Sequence, residues 1–183
     1  THGNLLANVD SMSRLNIVRG NDSVLSILPF HHAFPLTVTV IFPLITGFPV
    51  VLPADMRKEN LRKAMKECGP TVLIAVPRMY NAIYDAITEK MSHMPFPFSS
   101  FLRILADLSS GFRKKTGFNI TKPLLWPLHA GFGSRMRLFI SGGARLDKKI
   151  SEGLYRLGFT VLEGYGLTET APVLTFNIPG QEK

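Results

Sequence analysis

The sequence predicts an α/β fold, a mostly parallel sheet flanked by helices. Short apolar runs of strand length recur without polar alternation: "VLSIL" (24–28), "PVVL" (49–52), "TVLIAV" (71–76), "MRLFIS" (136–141) and "TVLEG" (160–164). Strands buried on both faces read in this way. The segments between them carry apolar residues at helical spacing, and such alternation implies parallel pairing with helices on both faces.

Taken in order, residues 4–15 place Leu5, Leu6, Val9, Met12 and Leu15 near helical spacing. The 24–28 strand is closed by Pro29. Residues 36–46 are apolar with no clear period, and their length favours a buried helix over a strand. After the 49–52 strand, residues 57–68 predict a helix with Leu61 and Met65 inward, stopped by Gly69 and Pro70. The 71–76 strand leads to Pro77, suited to a first helical position, with Met79, Ile83 and Ile87 on one stripe. The stretch "SHMPFPFSS" (92–100) reads as a linker by its prolines and serines, and 101–132 reads as largely helical. The last two strands enclose a helix over about 147–157. Residues 1–183 are therefore expected to form one unit with a helical insertion at about 92–132.

A chain of 183 residues, 45% apolar and 19% charged, has a globular composition and can bury a sizeable core. No run approaches the ~18 apolar residues of a spanning helix. The longest apolar stretch, 34–52, is broken by prolines, threonines and Gly47. Cys68 is the only cysteine, which excludes an intrachain disulfide and a cysteine zinc site and suits a reducing cytoplasm. The net charge of +8 and pI near 9.9 come from clusters at 57–66, 113–115 and 135–149. Such an excess attracts nucleic acid, anionic lipid or phosphorylated ligands, although solvated helix faces are the simpler reading of the first cluster. With no initiator methionine at Thr1 and a polar ending at Lys183, the chain reads as a piece of a longer protein.

Three unusual segments fall at the carboxyl ends of predicted strands, where ligands of parallel sheets bind: "LPFHHAF", "SGGARLD" and "GYGLTETAP". In "SGGA", Gly142 and Gly143 allow close approach of a flat ligand to the backbone. The alternative is an ordinary turn with Asp147 capping the next helix. Neither the P-loop nor the dinucleotide fingerprint fits this spacing. In the last segment, Tyr165 between Gly164 and Gly166 offers a ring for stacking. The Thr168 hydroxyl can donate to a phosphate, and Glu169 is a hard oxygen ligand of the kind magnesium takes alongside substrate phosphates. A loop in which Thr168 or Thr170 caps a helix and Glu169 is solvated fits the residue types equally well. His31 and His32 lack companions at metal-ligand spacing, so either a structural role or orientation of an anionic substrate is open to them.

Together "YGLTE" (165–169), "SGGA" (141–144) and "LPFHHAF" (28–34) resemble the adenylate-forming superfamily of acyl-CoA synthetases, firefly luciferases and peptide-synthetase adenylation domains. "THGNL" (1–5) resembles the segment after that family's phosphate-binding loop, and "VPRMYNAI" (76–83) is similar to a stretch frequent in fatty acyl-CoA synthetases. The order and separations agree over nearly the whole chain. The resemblance implies part of the N-terminal domain of an acyl-CoA synthetase-like fold. It also implies a two-step reaction, in which a carboxylate attacks the α-phosphate of MgATP and a thiol, usually of coenzyme A, then displaces AMP.

By the same resemblance, Tyr165 stacks on adenine, and Gly142, Gly143 and Ala144 line the adenine and acyl pocket. Glu163 contacts the base edge, Gly164, Gly166 and Leu167 complete the nucleotide loop, Thr168 binds phosphate and Glu169 holds Mg2+. His32 lies at the acyl-carboxylate entrance, and Phe34 walls the acyl pocket. The phosphate loop is expected before Thr1, and the ribose-binding aspartate, hinge and small C-terminal domain after Lys183. Residues 1–183 are thus expected to supply half a site and not to complete the reaction. The apolar 34–48 segment and "VPRMY" favour a fatty acid, and an acyl carrier protein is the alternative acceptor. A lipid substrate makes a cytoplasmic enzyme, peripheral to a membrane, an expectation for the parent, although no anchor is visible. A nucleic-acid-binding module is the rival from a different class; against it, no helix-turn-helix, zinc or RRM pattern occurs and aromatics do not interleave with the basic clusters.

Overall fold

The computed structural model describes residues 1–95 and 98–178. The chain opens with α1 (His2–Arg14), capped by the Thr1 hydroxyl, which accepts from the Asn4 amide at 3.3 Å. Strand β1 (Val24–Ser26) leads to a helical segment in three parts: α2 (Ala33–Pro35), a π-helical stretch (Leu36–Ile41) and α3 (Phe42–Thr46). Then follow β2 (Val50–Val51), α4 (Lys58–Cys68), β3 (Val72–Ala75) and α5 (Pro77–Ser92). Three helices, α6 (Phe98–Thr116), α7 (Thr121–Leu124) and α8 (Trp126–Gly131), precede β4 (Leu138–Ser141). The chain continues through α9 (Lys148–Arg156), β5 (Thr160–Gly166), a 3-10 turn (Thr168–Thr170) and β6 (Val173–Phe176).

The strands form one sheet in the order β2-β1-β3-β4-β5-β6, parallel throughout except for the antiparallel β5–β6 pair. With that single antiparallel edge pair the sheet is mostly parallel, as the apolar runs predict. Of the 92–100 stretch, residues 96 and 97 lie outside the described residues, as do 179–183 at the polar end; helix already occupies the stretch to Ser92 and from Phe98.

Side-chain alternation along the strands divides the core in two. Leu25, Leu73, Phe139 and Val161 face one side, packed with Met65 of α4, Tyr80 and Ile87 of α5, Ala106 of α6 and Leu154 of α9. Val24, Val72, Leu138 and Leu162 face the other, with Val38 of the π-helical stretch, Met12 of α1 and Phe34 of α2. Burying each such side chain contributes roughly 1.5–3 kcal/mol. Inward positions on α4 and α5 follow the sequence: Met65 and Ile87 are buried, while Leu61, Met79 and Ile83 pack against the same cluster. In α1 only part of the expected stripe turns inward, because Leu6 and Leu15 are exposed.

Polar ties hold the layers together. The buried Tyr80 hydroxyl lies 3.0 Å from the Leu73 carbonyl and 2.9 Å from that of Ile140, joining α5 to β3 and β4. Before the amino ends of β1, β3 and β4, the buried Asp22 carboxylate accepts from Arg137 Nε at 2.7 Å, from Thr71 Oγ1 at 2.6 Å and from the Arg19 amide at 2.7 Å. No helix among the described residues is long and apolar enough to cross a membrane.

Candidate nucleotide and acyl site

The carboxyl ends of β4 and β5 lie side by side, with Ser141 opposite Glu163. Beyond β4 the Gly142 amide donates to the Ala75 carbonyl at 3.2 Å, so the backbone extends the β3 ladder by one step. Gly142 is buried under Phe34: a β-carbon built at residue 142 would lie 2.3 Å from Phe34 Cζ. Gly143 turns the chain in the left-handed region (φ 83°), which glycine enters without a Cβ penalty. Asp147 then caps α9, accepting from the Lys149 amide at 2.7 Å.

Strand β5 runs two residues past the expected 160–164, carrying Tyr165 and Gly166 as strand until a bulge against β6 at those positions. Pairing with β6 explains the extra length. Gly164 lies under Phe176, with a built β-carbon 3.0 Å from its ring, and at Gly166 such an atom would fall 1.7 Å from the Pro172 carbonyl oxygen. A side chain at residue 166 would therefore collide with backbone, and one at residue 164 would press on the Phe176 ring. Strand β6 is in turn held by Asn8 of α1, whose Nδ2 donates to the Val173 carbonyl at 2.6 Å and whose Oδ1 accepts from its amide at 3.3 Å.

The 3-10 turn is fastened by Thr170, not Thr168. Thr170 Oγ1 accepts from the Leu167 amide at 2.9 Å and sits 2.8 Å from the Leu167 carbonyl and 2.9 Å from that of Pro172. Thr168 and Glu169 are left exposed, and their side chains make no hydrogen bond or ion pair with the described residues. Tyr165 is 61% exposed, leaving a ring face available for stacking.

These segments enclose a cavity of about 270 Å3, walled by Phe34, Gly143, residues 164–169, Pro172 and Val173. Of the sequence-predicted residues, Phe34, Gly143, Gly164, Tyr165, Gly166, Leu167, Thr168 and Glu169 meet there, and Gly142 lies directly behind Phe34. Ala144 and His32 are exposed and outside the wall; His32 packs on His31 with ring centroids 4.2 Å apart. Glu163 is already engaged, its Oε2 accepting from the Leu146 amide at 3.1 Å, which ties β5 to the loop after β4. Pro172, Val173 and Phe176 carry parts of the wall and its backing that the sequence reading missed, and the "PVLTF" pattern after the turn was the available signal.

Glu169 is the one carboxylate in the cavity wall, and no group of three or more histidine, cysteine, aspartate or glutamate side chains among the described residues could hold a metal. A single free carboxylate beside an exposed threonine fits magnesium, which takes one or two carboxylates and completes its shell with phosphate oxygens and water. A larger groove of about 520 Å3 lies between α5, α6 and α9. Four of its charged residues are paired, Arg156 with Asp107 at 3.5 Å and Lys148 with Glu152 at 3.9 Å, Lys149 also lines it, and it contains none of the predicted site residues.

The model of the AMP-binding enzyme family matches residues 1–183. The chain is 32% identical over 185 residues to long-chain-fatty-acid–CoA ligase 2 of Schizosaccharomyces pombe, covering 92% of this chain and 26% of that protein. It is 28% identical over 192 residues to human long-chain-fatty-acid–CoA ligase 6, covering 98% of this chain and 26% of that one. It thus spans about a quarter of the length of these curated relatives. The fold matches O-succinylbenzoate coenzyme A synthetase of Bacillus subtilis, solved in complex with ATP and magnesium ion, with TM-score 0.64 and 19% identity over 98% of this chain and 29% of that chain. With the family match running through every residue, and the loops at the strand ends placed as described, the chain belongs to the AMP-binding enzyme family.

Proposed function

We propose that residues 1–183 form part of the nucleotide- and acyl-binding half of an AMP-forming fatty acid–CoA ligase, which activates a fatty acid as its adenylate with ATP and passes it to coenzyme A. The observation that carries this reading is the meeting of Phe34, Gly143, Tyr165, Thr168 and Glu169 around one cavity at the strand ends. Fatty-acid ligases among the curated relatives support the substrate class.

In this reading the adenine lies against the exposed ring of Tyr165, close to the backbone because Gly164 and Gly166 present no side chains. The Thr168 hydroxyl donates to a phosphate oxygen. Glu169 would hold Mg2+ beside the phosphates, and the bound ion would supply neutralisation of negative charge at the reacting phosphorus. Phe34 forms the apolar wall that receives the acyl group. Glu163 acts through structure, holding the loop after β4 by the Leu146 amide, so that Gly143 keeps its place in the wall. His32 stands outside the wall and is assigned to the entrance, where it orients the incoming carboxylate. A lipid substrate suits a parent enzyme working in the cytoplasm or on a membrane surface, and one plant relative is named as peroxisomal.

The test is pyrophosphate release by the protein with its natural flanking sequence, given MgATP and a panel of fatty, aryl and amino acids. Release with fatty acids is expected, and Glu169→Gln should lower it about 100-fold or more, the usual scale for loss of charge stabilisation at a reacting centre. The exposed Glu169 side chain makes no hydrogen bond or ion pair with the described residues, so the variant should melt as the native protein does. Equal rates for variant and native protein would refute the role given to Glu169.

A further inference from the structure

Strand β6 is an edge of the sheet, and its free side meets no further strand among the described residues. Asn8 of α1 takes the place of one. Its Nδ2 donates to the Val173 carbonyl at 2.6 Å, and its Oδ1 accepts from the amide of the same residue at 3.3 Å. An antiparallel neighbour would exchange the same pair of bonds with a single residue. Asn8 is buried and stands on a fixed support, since Val9 beside it is 2% exposed and Met12, one turn on, packs into the second core cluster. A side chain 165 positions away in sequence therefore sets where β6 begins.

That beginning is also the end of the turn that carries Thr168 and Glu169. Between Glu169 and Val173 the backbone is strained: Ala171 has φ 66° and ψ 45°, in the left-handed region that a residue with a β-carbon rarely enters. Such a conformation persists only where its surroundings over-determine it. Within the turn, Thr170 Oγ1 accepts from the Leu167 amide and lies 2.9 Å from the Pro172 carbonyl. These bonds fix the shape of the turn but not its attachment to the fold. The ladder with β5 would supply that attachment, but it is broken by the bulge at Tyr165 and Gly166, opposite Val173. Asn8 holds the chain at the point where the bulge weakens the ladder.

We infer that Asn8 is a positioning residue for Glu169. By holding both polar groups of Val173 it keeps Ala171 left-handed, and so fixes the direction in which the turn presents Thr168 and Glu169 to the cavity. Asn8 itself lies outside the cavity wall and acts on the reaction only through the turn. This role rests on the reading of Glu169 as the carboxylate that holds Mg2+.

Pyrophosphate release by the protein with its natural flanking sequence, measured well below its melting temperature, tests the role. Asn8→Ala should lower kcat/KM for MgATP about tenfold or more, the scale of a small displacement at a reacting centre. The KM for the fatty acid should stay within about twofold, because Phe34, seated on Gly142, belongs to other elements. Asn8→Asp keeps the size and the acceptor but sets an oxygen against the Val173 carbonyl; it should lose as much, and it serves should the alanine variant not fold. Ala171→Gly enters the left-handed region freely and should recover part of the loss in Asn8→Ala. In a Glu169→Gln chain, Asn8→Ala should cost about twofold or less, since groups that act as a unit are not additive. Hydrogen exchange needs no catalysis: the Thr170 and Ala171 amides, bonded within the turn, should exchange about tenfold faster in Asn8→Ala while β4 keeps its native protection. Native kcat/KM in a folded Asn8 variant, full multiplication of the two losses in the double variant, or native exchange in the turn would each overturn the proposal. Absence of pyrophosphate release from the native protein is the separate failure of the reaction, and exchange in the turn then decides whether Asn8 holds it.

Discussion

The ring of Phe34 stands where a side chain on residue 142 would begin, so that Gly142 and Phe34 together set one wall of the cavity at the strand ends. The contact joins the carboxyl end of β4 to the start of the helical segment after β1. It makes the small size of residue 142 a condition on the shape of the site as well as on the turn.

Gly142→Ala is therefore expected to push the half-buried Phe34 ring into the cavity. The ring has room to move, so the stability cost should stay near the lower end of the roughly 1–3 kcal/mol typical of overpacking. The binding cost should be the larger effect, read as a raised KM for the fatty acid in pyrophosphate release. Phe34→Ala in the same chain should recover part of that KM. A double variant as poor as Gly142→Ala alone would place the effect in the backbone.

Much of this arrangement was legible in the sequence, and what was not has a physical reason. Val72–Ala75 and Leu138–Ser141 were readable because a strand buried on both faces needs apolar residues at every position. Tyr165 and its flanking glycines stood out as a candidate site, but not as strand. What extends β5 through Gly166 is β6, an edge strand whose Leu174 and Thr175 are exposed, so that it lacks the fully buried apolar run of β3 and β4; it is held from α1 by Asn8. The π-helical stretch was hidden because Thr39 is satisfied locally, donating to the Pro35 carbonyl at 2.7 Å and accepting from Ser26 Oγ, contacts that no period encodes. In α6 helix was expected but its inward face was not, and Arg113 and Ser109 fix that face by hydrogen bonds no spacing encodes.

Away from the site, Asp22 and Arg137 tie the start of β1 to the start of β4. Burial pushes the Asp22 carboxyl up, but hydrogen bonds from Arg137, Thr71 and the Arg19 amide, with the Arg137 charge, outweigh it and hold the group below the usual carboxylate range. The folded state thus releases this proton more readily than the unfolded one. The stabilisation is complete above about pH 4, the ordinary aspartate value, and is lost as pH falls through the lower folded pKa. Asp22→Asn should cost about 3 kcal/mol in urea unfolding at neutral pH, because Arg137 loses its charge partner. It should also flatten the acid limb of the stability curve. An acid limb unchanged in the variant would assign that pH dependence to other carboxylates.

His129 of α8 gives a second pH dependence, which sets in at a higher pH than the first. The side chain is buried, with Nε2 2.8 Å from the Leu157 carbonyl, so the neutral ring donates from Nε2 and ties α8 to the turn before β5. Its Nδ1 is buried with no partner among the described residues. A proton there would add a donor in a dry place. Burial lowers the His129 pKa first; the bond to Leu157 opposes this, and the Lys122 charge adds to the lowering. The folded protein therefore takes up this proton only at a pH below the ordinary imidazole value, while the unfolded chain takes it up near pH 6.5. Stability is complete above about pH 6.5 and falls as pH drops from there toward the folded pKa, because the unfolded state then binds more protons. Melting temperatures between about pH 7.5 and pH 5 should decline for the native protein. His129→Gln keeps a donor for the Leu157 carbonyl but cannot titrate, and it should hold its melting temperature level across that range. An equal decline in both proteins would place the titrating group elsewhere and leave His129 a purely structural donor.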